Sequence, residues 1–228
     1  MQPTPIIDPA VLRLAPDFHA VHLFVSAPDA PIAAGAGTVL EDACRFVREG
    51  GPEWADAHLA AWADVYSRFG AKPNRTPCSA QALRKRVLKD GTLPSINPVV
   101  DLYNAISLRY AVPVGGENLA AYVGVPHLTI SDGTEAFDTV ANGEPAIEHP
   151  LSGEVVWRDD LGVTCRRWNW RQGTRTRLNG GEESMWFVLE ALSAMPHDRL
   201  EQAGAALADD LRTLMPSATI EVVSALSA

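Results

Sequence analysis

Apolar residues recur at helical spacing through the first half of the chain and at strand spacing through much of the second. Between Pro52 and Phe69, the residues Trp54, Leu59, Trp62, Val65, Tyr66 and Phe69 share one helical face, and Gly70 follows as a C-cap. Before it, residues 17–26 alternate loosely and are rich in Val, Phe and Leu, which predicts a buried strand. Residues 28–37 read as a Pro/Ala/Gly loop, after which Thr38 can cap a helix over residues 39–49 that stops at Gly50-Gly51. Ser79 begins a further helix, with Leu83, Val87 and Leu88 inward and Arg84, Lys85, Arg86 and Lys89 mostly outward. Asn97-Pro98 then pairs an N-cap residue with proline at the first helical position, a strong start signal. In that helix Val99, Val100, Tyr103 and Ile106 lie on one side, while Asn97, Asp101 and Asn104 share another at i, i+4, i+7. This polar stripe reads either as a cap followed by a solvated face or as side chains that hold a neighbouring loop.

After Pro113 the period changes to two. Residues 112–116 are extended and Gly-rich, as where a backbone passes close to something else. Residues 127–130 and 134–137 flank Ser131-Asp132-Gly133, which predicts a hairpin. Residues 153–158 and 162–170 flank Asp159-Asp160-Leu161 and predict a second. Residues 186–192 and 219–223 read as strands around an amphipathic helix over 197–215. Helices gather in one half and strands in the other, so the fold class expected is α+β. No linker-like stretch divides residues 1–228, and one domain is expected.

Composition changes the picture at one place. The chain is acidic, at formal charge -9, yet five of its sixteen arginines lie between Arg166 and Arg177 with no acidic residue among them. Trp168 and Trp170 stand within that run. As a regular strand, Thr164, Arg166, Trp168 and Trp170 would share one face and Cys165, Arg167, Asn169 and Arg171 the other. Arginine beside aromatic rings suits an anionic group or a flat base; the competing reading pairs the guanidiniums with local acids. Arg166 and Arg171 could both line a pocket only if the chain bends at residues 170–173, where Gln172-Gly173 permits it.

Other chemistry is thin. There is no GxSxG, HExxH or P-loop, and no GxGxxG after a strand, so no cofactor or metal is expected. His19 and His22, three apart on a strand, point to opposite faces and make a poor metal pair. Cys44, Cys78 and Cys165 are an odd, scattered set, which suggests reduced thiols; Cys165 reads as a small core thiol. No signal-like segment or long apolar run occurs, so a soluble cytoplasmic protein is expected, with no membrane or DNA partner.

Three segments together resemble one family. Asn97-Pro98-Val99-Val100-Asp101-Leu102-Tyr103-Asn104 followed by Pro113-Val114 is similar to the Asn-x-Val-x-Asp-x-x-Asn…Pro-Leu element of the phenylalanyl-tRNA synthetase beta-subunit editing module. Val156-Trp157-Arg158-Asp159-Asp160 with Gly162-Val163 resembles the hairpin entering the editing pocket, and Phe187-Val188-Leu189-Glu190-Ala191 the strand leaving it. The run Arg166-Arg167-Trp168-Asn169-Trp170-Arg171 resembles free-standing relatives of that module. The resemblance spans about residues 54–214. It implies a layered β-sandwich of unusual topology with flanking helices, and trans-acting hydrolysis of mischarged aminoacyl-tRNA without aminoacylation. The alternative is a non-catalytic module for a free amino acid or related small carboxylate. The site it implies comprises Asn97, Asp101, Asn104, Gly115, Arg166, Trp168, Asn169, Arg171 and Glu190, with Glu190 at the position of the glutamate that reads a tyrosine hydroxyl. Gly115 stands where the family has a histidine, and residues 168–173 replace a glycine-rich pocket floor.

Overall fold

The computed structural model describes residues 4–27 and 36–225. The elements run β1 (Ile6–Ile7), α1 (Pro9–Leu14), β2 (His19–Ser26), α2 (Ala36–Arg48), α3 (Ala55–Arg68), α4 (Ser79–Asp90), α5 (Pro98–Tyr110) and β3 (Val114–Asn118). After a 3-10 turn at Leu119–Ala121 come β4 (His127–Ile130), β5 (Phe137–Ala141), β6 (Glu144–Glu148), β7 (Val155–Arg158), β8 (Val163–Arg166), β9 (Arg171–Gln172), β10 (Ser184–Ala191), α6 (His197–Leu214) and β11 (Thr219–Ala225). The class is α+β. A mixed sheet has the order β1-β4-β7-β8-β5-β6, with β9 paired to β8, and a second sheet has the order β11-β2-β10-β3.

Strand alternation builds the layers. On β10, Met185, Phe187, Leu189 and Ala191 face one side, where they join Val99, Leu102 and Ile106 of α5 and Leu200, Leu207 and Leu211 of α6. Trp186 and Val188 face the other side, towards Leu128, Val155 and Trp157 of the mixed sheet and Leu59, Trp62 and Tyr66 of α3. Glu190 shares that second parity, so period-two geometry places a carboxylate between the two sheets. Segments α2, α4 and α5 enclose a smaller core of Leu40, Cys44, Val47, Val87 and Leu108.

The start of α5 follows its sequence signal: the Asn97 side chain accepts from Val100 N–H, and Pro98 occupies the first turn. Asp8 and Pro9 repeat that device at α1, which the pattern reading passed over. Residues 28–35 of the expected loop lie outside the described residues, and α2 begins at Ala36, before Thr38. Leu88, expected inward, is 54% exposed.

Two strand expectations are corrected. Residues 127–137 do not form a hairpin: β4 pairs antiparallel with β7, and β5 pairs with β6 and β8. The hairpin in this region is β5–β6, turning at Asn142-Gly143 with φ of 54° and 85°, as an Asn-Gly two-residue turn requires. The β7–β8 hairpin forms as expected, but its second strand ends at Arg166, not at residue 170.

Close packing between β3 and β10 makes one prediction here. A Cβ on Gly116 would lie 2.8 Å from a Phe187 ring carbon and 3.0 Å from one of Tyr103. Gly116→Ala is expected to cost about 1–3 kcal/mol in urea unfolding through overpacking. An unchanged midpoint would mean that both rings move aside freely.

Candidate functional site

Where the strand expected over residues 162–170 breaks, the chain instead reverses. Arg167 and Trp168 both take left-handed conformations, at φ 47° and 65°, although neither is glycine. Such backbone costs on the order of 1–3 kcal/mol per residue and persists only where surroundings impose it. Here Trp168 N–H donates to Val155 O at 2.6 Å and Trp170 N–H to Arg166 O at 3.1 Å, while Ser79 N–H of α4 donates to Asn169 O at 3.1 Å. The chain then returns as β9, so that Arg166 and Arg171 are cross-strand partners. The bend therefore falls at residues 167–170.

This reversal drives Trp168 into the space between the sheets, where it packs edge-on against Phe18 and Trp62. Its indole N–H donates to Glu190 Oε1 at 2.9 Å, the Trp157 indole donates to the same oxygen at 3.0 Å, and Asn169 Nδ2 donates to Oε2 at 2.9 Å. Asn169 is held in turn by the Tyr66 hydroxyl, which donates to its Oδ1 at 2.8 Å. Glu190 is 1% exposed, and burial pushes its carboxyl up to about 7 against the pull of these three donors.

A second buried carboxylate was not foreseen. Glu117 of β3 is 4% exposed, accepts from the Tyr122 hydroxyl at 2.5 Å, and is also pushed up to about 7 by burial. Its place in a short Gly-rich strand gave no periodic signal. Glu117 lies opposite Trp186 and Gly115 opposite Val188, with Glu190 two residues further along β10. The two residues therefore stand four strand positions apart along one sheet face, roughly 13 Å of backbone, and the side-chain-free Gly115 lies between them. A cavity of about 270 Å³ occupies this place, walled by Trp157, Trp168, Trp170 and Val188 and bordered by Tyr103, Gln172 and the carboxylates. The Gln172 amide donates to Gly116 O at 2.9 Å and ties β9 to β3. Cys165 also borders the cavity; burial beside Glu117 and Glu190 pushes its thiol well above the ordinary range, so it is not a ready thiolate.

Of the nine residues singled out in the sequence, Asn104, Gly115, Trp168, Asn169, Arg171 and Glu190 border this cavity. Asn97, Asp101 and Arg166 do not. Asn97 caps α5, and its amide reaches Leu178 O at 3.4 Å. Asp101 is buried and reaches back to hold the loop before the helix, accepting from Ile96 N–H at 2.9 Å and the Ser95 hydroxyl at 2.5 Å. Arg166 grips Glu154 with two parallel bonds of 3.0 Å and Glu148 with a third of 2.8 Å. The Arg171 guanidinium turns to Thr139 at 2.7 Å and Glu148 at 3.6 Å, and Arg175 makes a two-pronged pair with Asp159 at 2.9 Å. The arginine run is thus largely paired with acids from outside it: Glu148 on β6, Glu154 just before β7 and Asp159 in the β7–β8 turn.

A family model of the B3/4 domain, the domain found in the phenylalanyl-tRNA synthetase beta subunit, matches residues 61–198. No curated protein matches the chain. The matched span runs from within α3 to the start of α6 and contains every residue that borders the cavity. With more than half of its length covered, the chain belongs to the B3/4 domain family, a tRNA-synthetase-related family.

Proposed function

We propose that this protein hydrolyses the ester of mischarged aminoacyl-tRNA in trans, with the amino acid held in the cavity between the sheets. One observation favours this over a site for a free amino acid or small carboxylate. The cavity is bordered by two buried carboxylates, Glu117 and Glu190, and by one cation, Arg171, whose guanidinium is already turned to Glu148. A free carboxylate would meet two carboxyls there that burial pushes up to about 7 and that are ionised above it, without a vacant cationic partner among the described residues. An esterified amino acid carries no such charge, and its ammonium group is attracted. Tryptophan walls suit its side chain.

The chemistry asked of the protein is modest. Water attacks the ester carbonyl, the bond to the terminal ribose oxygen breaks, and the products are the free amino acid and a tRNA with its hydroxyl restored. Positioning supplies much of the acceleration in such a step. Carboxyls pushed close to neutrality are suited to hold or pass a proton at working pH. Glu190 uses three acceptor positions on its indole and amide donors, which leaves one of about four for a donor on the substrate.

The test is a deacylation panel of purified protein against tRNAs carrying different amino acids, with free amino acids followed in parallel by thermal shift. Hydrolysis of a subset of the charged tRNAs is expected, and Glu190→Gln should reduce discrimination between a preferred side chain and its nearest apolar isostere by roughly ten- to a hundredfold. No hydrolysis anywhere in the panel, together with saturable stabilisation by a free amino acid, would return the site to a binding module.

A further inference from the structure

The turn that shapes the cavity has a second side. Trp168, Asn169 and Trp170 border the cavity, but Arg167 borders a separate hollow of about 280 Å³ between the loop after α3 and the 151–154 segment. Phe69 and Leu151 contribute apolar surface to it, and Lys72 and Arg75 contribute charge. The loop that carries these two cations is fixed: Ala71 N–H returns to Tyr66 O, and Arg75 and Thr76 N–H both donate to Lys72 O. Glu154 also borders the hollow, but both its oxygens are taken by the Arg166 guanidinium. Lys72 and Arg75 are exposed, and among the described residues neither forms an ion pair. Arg167 lies 4.3 Å from the Trp170 ring centroid and 3.7 Å from Glu154, and its guanidinium is partly open to solvent.

We infer that this hollow is a phosphate-binding notch that receives the RNA backbone next to the aminoacylated end. Three features carry the inference. It holds three cations in a chain of charge -9, two of them unpaired among the described residues. It is a recess, formed where the loop after α3 meets the 151–154 segment, into which all three cations converge. It adjoins the cavity through neighbouring residues, since Arg167 and Trp168 are successive positions about 3.8 Å apart at Cα. A phosphodiester held by Lys72, Arg75 and Arg167 would present a chain end to the space behind Trp168 and Trp170. The Arg167–Trp170 stack also offers a flat surface for a terminal base. The paired Arg166 and Arg175 are left out of this role. The assignment rests on the RNA-substrate reading, and it explains how an acidic protein attracts RNA locally.

The experiment measures binding of an uncharged, CCA-ended oligoribonucleotide by fluorescence anisotropy across a salt series, alongside deacylation of a charged tRNA. Lys72→Ala/Arg75→Ala is compared with Lys89→Ala/Arg212→Ala, which changes net charge equally but on α4 and α6. The first pair should weaken binding roughly tenfold at low salt and reduce the salt slope by about 1.4, at about 0.7 per single-strand contact. The second pair should leave both near wild type. Equal binding by wild type and the first pair, with deacylation intact, would overturn the notch and leave the hydrolase reading standing. Notch-dependent binding with no deacylation of any charged tRNA would do the reverse. Inorganic phosphate or a mononucleotide binding as tightly as the oligonucleotide would overturn the RNA assignment in favour of a small-anion site.

Discussion

Arg166→Ala is expected to destabilise the protein by about 3 kcal/mol, at the low end of the cost of breaking a buried ion pair from one side. Arg166 is 7% exposed, and its guanidinium makes three charge-assisted bonds to Glu154 and Glu148. Removing it leaves Glu154, itself buried, with the Arg167 N–H at 3.1 Å, the Leu151 N–H at 3.5 Å and the Arg167 guanidinium at 3.7 Å. Those residual contacts are why the low end applies. Arg171→Ala is the internal control: its side chain is 37% exposed and lies 3.6 Å from Glu148, so it should cost under about 1 kcal/mol. Urea unfolding reads both as midpoint shifts at constant slope. Equal, small shifts would show that Glu154 is accessible to water after all. A loss of activity in Arg166→Ala is therefore uninterpretable without its unfolding curve.

That contrast shows where local sequence misleads. The window from 166 to 177 holds no acid, but its partners arrive from elsewhere: Glu148 and Glu154 from 18 and 12 residues upstream, and Asp159 from the β7–β8 turn. Charge along a window says nothing about charge across a strand pair. The turn at residues 167–170 was illegible for a related reason. Left-handed backbone usually announces itself with Gly or Asn, and here Arg167 and Trp168 are held there by tertiary bonds to Val155 O and by the packing of the Trp168 ring. Strong local rules fared better. Asn97-Pro98 located the start of α5 to the residue, and the strand read over residues 186–192, observed over Ser184–Ala191, held Glu190. Asn142-Gly143 obeys the same kind of rule and turns the β5–β6 hairpin, whereas Ser131-Asp132-Gly133, read as a turn, joins two strands that do not pair. Of the residues expected in the site, Asn97 and Asp101 hold backbone at the start of α5 and Arg166 pairs with Glu154 and Glu148, and none of the three borders the cavity. Glu117 stayed hidden because a five-residue strand with two glycines carries too little pattern to assign a face.

Glu190 carries the other large effect. Glu190→Ala would strand two indole N–H groups and an amide in the interior at about 1–3 kcal/mol each, enough to threaten folding, so the informative variant is Glu190→Gln. The measurement is its stability relative to wild type at pH 5 and pH 8. Burial raises the Glu190 carboxyl from an ordinary 4.5 to about 7, so the folded state holds its proton more tightly than the unfolded chain. The stabilisation this brings is complete below pH 4.5 and is lost as pH rises through 7. Glutamine does not titrate. From pH 5 to pH 8 the balance should therefore move towards the variant by on the order of 3 kcal/mol. Glu117 acts in the same direction, because removing the Glu190 charge relieves repulsion between the two carboxylates at high pH. The wild-type profile alone would conceal this. His22 and His58 are buried and pushed down to about 4, so as pH falls from 6.5 towards 4 the unfolded chain takes up protons that the folded state does not, and stability is lost in opposition to the carboxylates. Subtracting wild type from variant cancels the histidines and leaves the carboxylate. A difference that stays constant between pH 5 and pH 8 would mean that Glu190 is ionised throughout, stabilised by its three donors, and that the cavity presents a fixed negative charge to its ligand.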